Sequence, residues 1–347
     1  MKRGKAPFLM DENLSRQFAT MSFVSALMIV YLHTGTATQE EYLAKSFHVI
    51  IRSLCAIAIP WFFFASGFFV AGHTNECGWY KREIAKRVRS LLVPFWVWGG
   101  IICLSWCIVA LLIRLMGYSF QGIDAFEWIS LRGVATILGL NPVGNIPTMW
   151  FLRALFILVA LSPLLLFSKW VILIVTILYL GWTVFCVRMD SDARYVGECL
   201  VSMRGVMYFT LGGFVRYYWR KKKLVNEITI CMIGVLFLCV SWLSDGVLSS
   251  LGFALAVPFI MWEMFCLCGH VKLPSAVTSQ SFPVYLIHGT VAYFLQGAFA
   301  LIGFGHGRTP FLIGIITWLL AVMLSVSAAM LIRRLMPAFS NVLFGGR

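Results

Sequence analysis

The sequence predicts an all-α protein that crosses a membrane many times, as a polytopic helical bundle. Two observations carry that reading. Sixty per cent of the 347 residues are hydrophobic and only 12% are charged, about half the charged fraction of a soluble domain. Apolar runs of about 17–25 residues, the length that crosses a bilayer, recur from one end of the chain to the other.

Ten spans are expected, at roughly 17–35, 47–71, 91–113, 149–167, 170–187, 201–218, 228–243, 247–267, 279–302 and 310–332. The basic start of the chain, followed by an apolar run from Phe18 to Leu32, imitates a secretory leader. No small-residue cleavage site follows, so this run is taken as the first span. The turns at 168–170 and 244–247 are tight. Residues 134–141 are semi-apolar and suit a re-entrant or surface segment. Glycines and prolines lie scattered through the spans, which membrane helices tolerate. No repeat or flexible linker divides the chain, so residues 1–347 are read as one domain.

An even number of spans puts both termini on one side. Placing them in the cytoplasm leaves nine of the 28 Lys and Arg on the opposite side: Lys45, Arg52, Arg114, Arg132, Arg153, Arg188, Arg194, Arg204 and Arg308. That asymmetry obeys the positive-inside rule. The Arg-Lys-Lys-Lys run at 220–223 reads as an orientation anchor. The net charge of +14 is gathered in loop clusters, so it points to the membrane surface and its lipids and away from nucleic acid. Ten cysteines, mostly inside apolar runs, behave as small hydrophobes. Cys103/Cys107 and Cys266/Cys268 lack the second pair of a metal site, so neither zinc nor a disulfide framework is expected.

The stretch from Ile59 to Trp98 organises the chain. An apolar aromatic run closes on Ala65-Ser66-Gly67. A short polar connection then carries Lys81, Arg82, Lys86, Arg87 and Arg89 before a second apolar run with Pro94 in its first turn. On a helix, Arg82, Lys86 and Arg89 share one face. A cationic face at a membrane entry suits an anionic lipid head group or a phosphorylated cofactor. Loop cations of any membrane protein also serve insertion alone.

Titratable groups inside a bilayer are costly and call for a reason. His33 ends the first span and could accept a proton from a hydroxyl. It could equally be an inert histidine at a helix end. His288 falls near mid-membrane in the ninth span, with Tyr285 almost one turn away; it serves catalysis or a bond to another helix. Arg52, Arg153 and Arg204 lie a few residues inside the outer ends of their spans. There they line a polar cavity for an anionic or sugar-bearing substrate, or snorkel to the outer head groups. Glu263, Glu198 and Asp192 are candidate neutralising partners. A Walker loop, a dinucleotide-binding glycine fingerprint, an H-E-x-x-H pair and a nucleophile elbow are all missing. Their absence argues against ATP-driven transport within this chain, nicotinamide chemistry, zincin proteolysis and ordinary serine-hydrolase chemistry.

Five stretches, in order, resemble one family. The run IPWFFFASGFF resembles the FFxxSGF segment of the second span of the acyltransferase-3 family of integral-membrane O-acyltransferases. YKREIAKRVRSLLVPFW resembles the R-x-x-R-L-L-x-P segment after it. MIVYLHTG resembles the end of the family's first span, TMWFLRALFILVALSPLL its WFL span, and SFPVYLIHGTV its S-F-x-I-Y-L-x-H span. The resemblance covers nearly the whole chain. It implies acyl transfer, often acetyl, from cytoplasmic acyl-CoA as donor co-substrate to a hydroxyl of a surface or lipid-linked glycan. The implied catalytic histidine is His33. The chemistry also needs a donor for the oxyanion at the reacting carbonyl, which Arg52, Arg153, Trp150 or His288 could supply. Arg87 and Arg89 are implied to hold the donor's phosphates; Arg82 and Lys86 join them as candidates through the shared cationic face. One departure stands out. The family usually carries an arginine about eleven residues before its first-span histidine; Ser22 occupies that place here, and Arg16 lies further back. A bacterial plasma membrane is the expected location. The competing readings are a transporter or flippase for a glycan or lipid intermediate, and a non-catalytic part of a polysaccharide export complex.

Overall fold

The structure, a computed structural model, describes residues 11–34, 50–115, 134–135, 138, 149–168, 170–189, 202–218, 227–301 and 311–346. Among these every regular element is helical. Fourteen α-helices follow in order: α1 (Glu12–Thr34), α2 (Ala58–Ala71), α3 (Trp79–Arg87), α4 (Val93–Leu115), α5 (Trp150–Ala160), α6 (Ser162–Leu165), α7 (Val171–Val187), α8 (Met203–Tyr218), α9 (Glu227–Leu243), α10 (Gly246–His270), α11 (Ser275–Thr278), α12 (Ser281–Leu301), α13 (Phe311–Leu335) and α14 (Pro337–Leu343). Most of the expected 134–141 segment lies outside the described residues. So do Lys45, Arg132, Asp192, Arg194, Glu198, the 220–223 run and Arg308.

The described residues of each expected span are largely helical. Five helices are long and apolar enough to cross a membrane: Glu12–Thr34, Ile50–Ala71, Trp79–Ser105, Gly246–His270 and Ile313–Leu335. The expected 149–167 span is broken. Its first part, α5, has 11 residues, about 16 Å of helix and half a bilayer. A turn at Leu161 follows, and α6 begins with Pro163 in its first turn. Proline lacks the N–H that an unbroken helix would need there.

The basic connection is helical over Trp79–Arg87, the condition under which Arg82, Lys86 and Arg89 share a face. Between α3 and α4 the helix widens into a π turn at Val88–Leu92, with Val93 N–H donating to the Val88 carbonyl. Pro94 follows at once and cannot donate to a preceding carbonyl, which favours such a local rearrangement. The carboxyl end of the chain packs over this turn. Trp98 Nε1 donates to Leu343 O at 3.1 Å. Gly345, at φ 64°, sits so close to Ser90 that an added Cβ would lie 2.7 Å from its Cα.

α1 is bonded to three other helices. Gln17 Nε2 donates to Phe265 O at 2.7 Å, Trp61 Nε1 to Ser22 Oγ at 3.1 Å, and Trp318 Nε1 to Leu27 O at 2.9 Å. Around it lies an aromatic core in which the Phe18 ring sits 5.1 Å from Trp61 and 4.9 Å from Phe68 and Phe265. Apolar area alone does not hold membrane helices together, because lipid is equally apolar; close packing and interhelical hydrogen bonds do.

α2 and α8 run parallel, with backbones in contact. A methyl group added to Gly67 would collide with Phe209 O, and one added to Gly212 with Phe64 O. These glycines allow an approach that no other residue permits. Gly100, on α4, has open space around its Cα. Gly67→Ala and Gly212→Ala are therefore expected to destabilise the protein by about 1–3 kcal/mol or more each. Gly100→Ala, which gains only helix propensity, is expected to be neutral or to stabilise by up to about 1 kcal/mol. Thermal unfolding in one detergent ranks the three variants.

Candidate functional site

The two histidines singled out in the sequence meet. The His33 and His288 rings lie 5.2 Å apart at an interplanar angle of 46°. α1 delivers His33 as its penultimate residue, and α12 delivers His288 two turns from its start. The two helices are locked together below the rings by Ala26, Val30 and Val284.

His288 is fully buried and its tautomer follows from its contacts. Nδ1 lies 2.6 Å from the Tyr285 carbonyl oxygen and 3.2 Å from that of Val284. A carbonyl only accepts, so Nδ1 carries the hydrogen, and in the neutral ring Nε2 is a bare lone pair. That Nε2 is buried with no hydrogen-bond partner among the described residues. A buried polar atom without a partner costs roughly 1–3 kcal/mol, and such atoms in a native fold often belong to a working site. Tyr285 thus serves His288 through its backbone carbonyl, while its ring lies 5.9 Å away, tilted by 44°.

His33 is exposed, so the pair joins one accessible ring to one buried ring. Arg52 is exposed as well and acts electrostatically on both His33 and Tyr31. At the place of the family's usual first-span arginine, Ser22 receives the Trp61 indole N–H. Arg16 bonds Asn13 Oδ1 at 3.0 Å. It lies 17 residues before His33 on one helix, about 25 Å away along the axis, and cannot reach the histidine pair.

A cavity of about 420 Å³ opens near this end of the bundle, between α2, α7, α8, α9 and α10. Arg204, Tyr179, Trp182, Tyr208, Ser241 and Ser249 are among its lining residues, and so is Ser53, the neighbour of Arg52. Of Arg52, Arg153 and Arg204, Arg204 lines the cavity, Arg52 adjoins its lining residue Ser53 in the chain, and Arg153 is elsewhere, on α5. Phe151, two residues before Arg153, packs edge-on against Tyr285 at 5.7 Å.

The basic connection lies at the other end of the bundle. Lys86 and Arg89 are exposed and make no ion pair among the described residues. Arg82 is exposed but clamped. It donates to Glu76 Oε2 at 2.7 Å and to the Cys77 carbonyl at 2.8 Å. Glu76 also bonds His73 Nδ1 at 2.9 Å. That bond, helped by Arg82, holds its carboxyl below the usual carboxylate range, so Glu76 keeps its charge at neutral pH. Arg87 differs from its neighbours in being buried, with Nε donating to Glu83 Oε1 at 2.7 Å. The Glu-x-x-x-Arg spacing announces this pair in the sequence, but only the fold shows that it is buried. Removing one partner of a buried pair leaves an uncompensated charge. Glu83→Gln is expected to lower stability by about 3 kcal/mol, and Glu83→Gln with Arg87→Gln to recover part of the loss. Thermal melts of the two variants separate a structural pair from a ligand-binding one.

The sequence profile of the acyltransferase-3 family, described as an acyltransferase domain, matches residues 21–334. The chain belongs to that family. With its apolar helices, this makes it an integral-membrane acyltransferase. Neither a curated protein nor a solved structure matches it.

Proposed function

We propose that the chain is an O-acyltransferase that works across the membrane. It takes an acyl group, acetyl in the simplest case, from acyl-CoA at its basic end and passes it to a hydroxyl of a surface or lipid-linked glycan at the histidine end. The meeting of the His33 ring with that of His288, whose buried Nε2 has no hydrogen-bond partner among the described residues, carries this reading. Charge asymmetry supports placing the basic end in the cytoplasm, as in a bacterial plasma membrane, with both termini there.

The donor's phosphates fit the exposed cations Lys86 and Arg89, with Arg82 beside them. Arg87 is committed to Glu83 and supports the helix that presents the others. At the opposite end, aromatic rings, hydroxyls and Arg204 around the 420 Å³ cavity supply the stacking and hydrogen-bonding surfaces that a sugar needs. Ser53 and Arg52 join that cavity to His33 through one peptide bond, about 3.8 Å between their Cα atoms.

The chemistry divides between the rings. His33, the exposed one, takes the proton of the acceptor hydroxyl as its oxygen attacks the thioester carbonyl. A new C–O bond forms, the C–S bond breaks, and the proton passes to the departing thiolate. His288 offers its bare Nε2 to the proton relay, in an orientation fixed by the Tyr285 and Val284 carbonyls. Arg52 supplies positive charge where the carbonyl oxygen becomes anionic.

Turnover of acetyl-CoA by purified protein in nanodiscs tests this division. His33→Ala is expected to lower kcat at least about a hundredfold, and His288→Ala to lower it while the donor KM stays unchanged. Lys86→Gln with Arg89→Gln is expected to raise the donor KM about tenfold and leave kcat nearly intact. Wild-type turnover by both histidine variants would end the catalytic assignment. A donor KM untouched by the paired cation variant would remove the phosphate site.

A further inference from the structure

A larger cavity, about 700 Å³, lies at the basic end, on the far side of α2 from the histidines' helix α1. It sits between the ends of α2 and α8 on one side and α6 and α7 on the other. Its polar lining includes Arg216, Asn75 and Ser168, and its apolar lining includes Leu166, Phe167 and Ile172. Neither Asp nor Glu is among the described lining residues. None of the cations assigned to the acyl donor lines it either.

Two features mark this cavity as built. The Arg216 guanidinium is held in place over the Phe68 ring, 5.0 Å from its centroid. Gly72 makes room for it, since a Cβ there would lie 3.0 Å from Nη2 and 3.3 Å from Nε. The cation is thus fixed between an aromatic face and a backbone that carries no side chain. Such a planar, fixed fork suits a phosphate diester.

The mouth of the cavity indicates the rest of the ligand. Phe167, which lines the cavity, is 72% exposed; Leu164, between the lining residues Pro163 and Leu165, and Trp170, between Ser168 and Ile172, are each 64% exposed. On a membrane-spanning bundle, large apolar side chains this exposed face lipid, and a tryptophan among them marks the head-group level. A cation at the base, apolar walls and a lipid-facing mouth together describe a site for an amphiphile with an anionic head. We propose that this cavity binds an anionic glycerophospholipid. Its phosphate pairs with Arg216, and its acyl chains leave between α6 and α7 past Phe167 and Ile172. Basic pockets between membrane helices recognise lipid head groups by this chemistry. The proposal is independent of the catalytic reading, because it uses none of that reading's residues.

The test is lipid binding to the full chain. Native mass spectrometry of the purified protein is titrated with phosphatidylglycerol or phosphatidylcholine, and thermal unfolding is followed in parallel. Wild type is expected to bind phosphatidylglycerol at least about fivefold more tightly than phosphatidylcholine, the value of one well-placed cation. Arg216→Gln is expected to abolish that preference. Ile172→Trp, which fills the cavity and leaves every charge in place, is expected to weaken phosphatidylglycerol to the same degree. Lys272→Gln removes an exposed cation outside the cavity and is expected to change nothing. Equal losses in Lys272→Gln and Arg216→Gln would reduce the effect to diffuse surface attraction and overturn the proposal. Wild-type binding by Ile172→Trp would also overturn it. Displacement of the lipid by adenosine 3′,5′-bisphosphate would give the cavity to a nucleotide, and displacement by inorganic phosphate to a free anion; either result contradicts a lipid site.

Discussion

The bundle depends on the backbone contact between α2 and α8. In a bilayer, helices gain little from burying apolar side chains against one another, so contact must come from shape and from polar bonds. Gly67 and Gly212 bring two main chains together where any side chain would collide. The consequences spread in both directions. Toward one end, the contact leads to Gly72 and Arg216, the base of the larger cavity. Toward the other, the residues just before α2 bring Ser53, and α8 brings Arg204, to the lining of the smaller one. On its other face α2 meets α1 through Trp61 and Ser22, which helps to set the height of His33.

The two ends of the bundle carry different chemistry, as the proposed transfer across a membrane requires. Exposed cations gather at one end, on a helix braced by the buried Glu83–Arg87 pair and covered by the carboxyl terminus. Titratable rings gather at the other, where one imidazole is accessible and one is sealed. The π turn at Val88–Leu92 is the joint between the cationic helix and the membrane helix α4. Irregular backbone is tolerated at such depth only when packed against protein, and Gly345 and Leu343 supply that packing.

Much of this was legible in the sequence. Hydropathy located the long apolar helices because a bilayer demands a minimum apolar length; the short α3, α11 and α14 carry no such signal. The His33 and His288 motifs were visible because titratable residues are rare in apolar runs. Their meeting was not visible, since they lie 255 positions apart and no local rule fixes which helices pack together. Depth was misleading too: counting along each span places His33 at an outer end and His288 near the middle, yet the rings are 5.2 Å apart. Span counting measures height only from each helix's own start, and α12 starts level with the middle of α1. The break at Leu161 had its signal in Ser-Pro. Arg87 could not be told from Arg89 by composition, because burial depends on the turn that follows.

The central claim is that donor and acceptor occupy opposite ends of one molecule. The most direct measurement uses proteoliposomes in which orientation is scored by maleimide labelling of Cys77, an exposed cysteine beside the basic helix. Labelled acetyl-CoA is supplied on one side only, with a hydroxyl-bearing glycan acceptor on the other. The account predicts acetylated acceptor only when the donor shares a side with Cys77. Transfer that needs donor and acceptor on the same side, or that ignores the side of the donor, would contradict it.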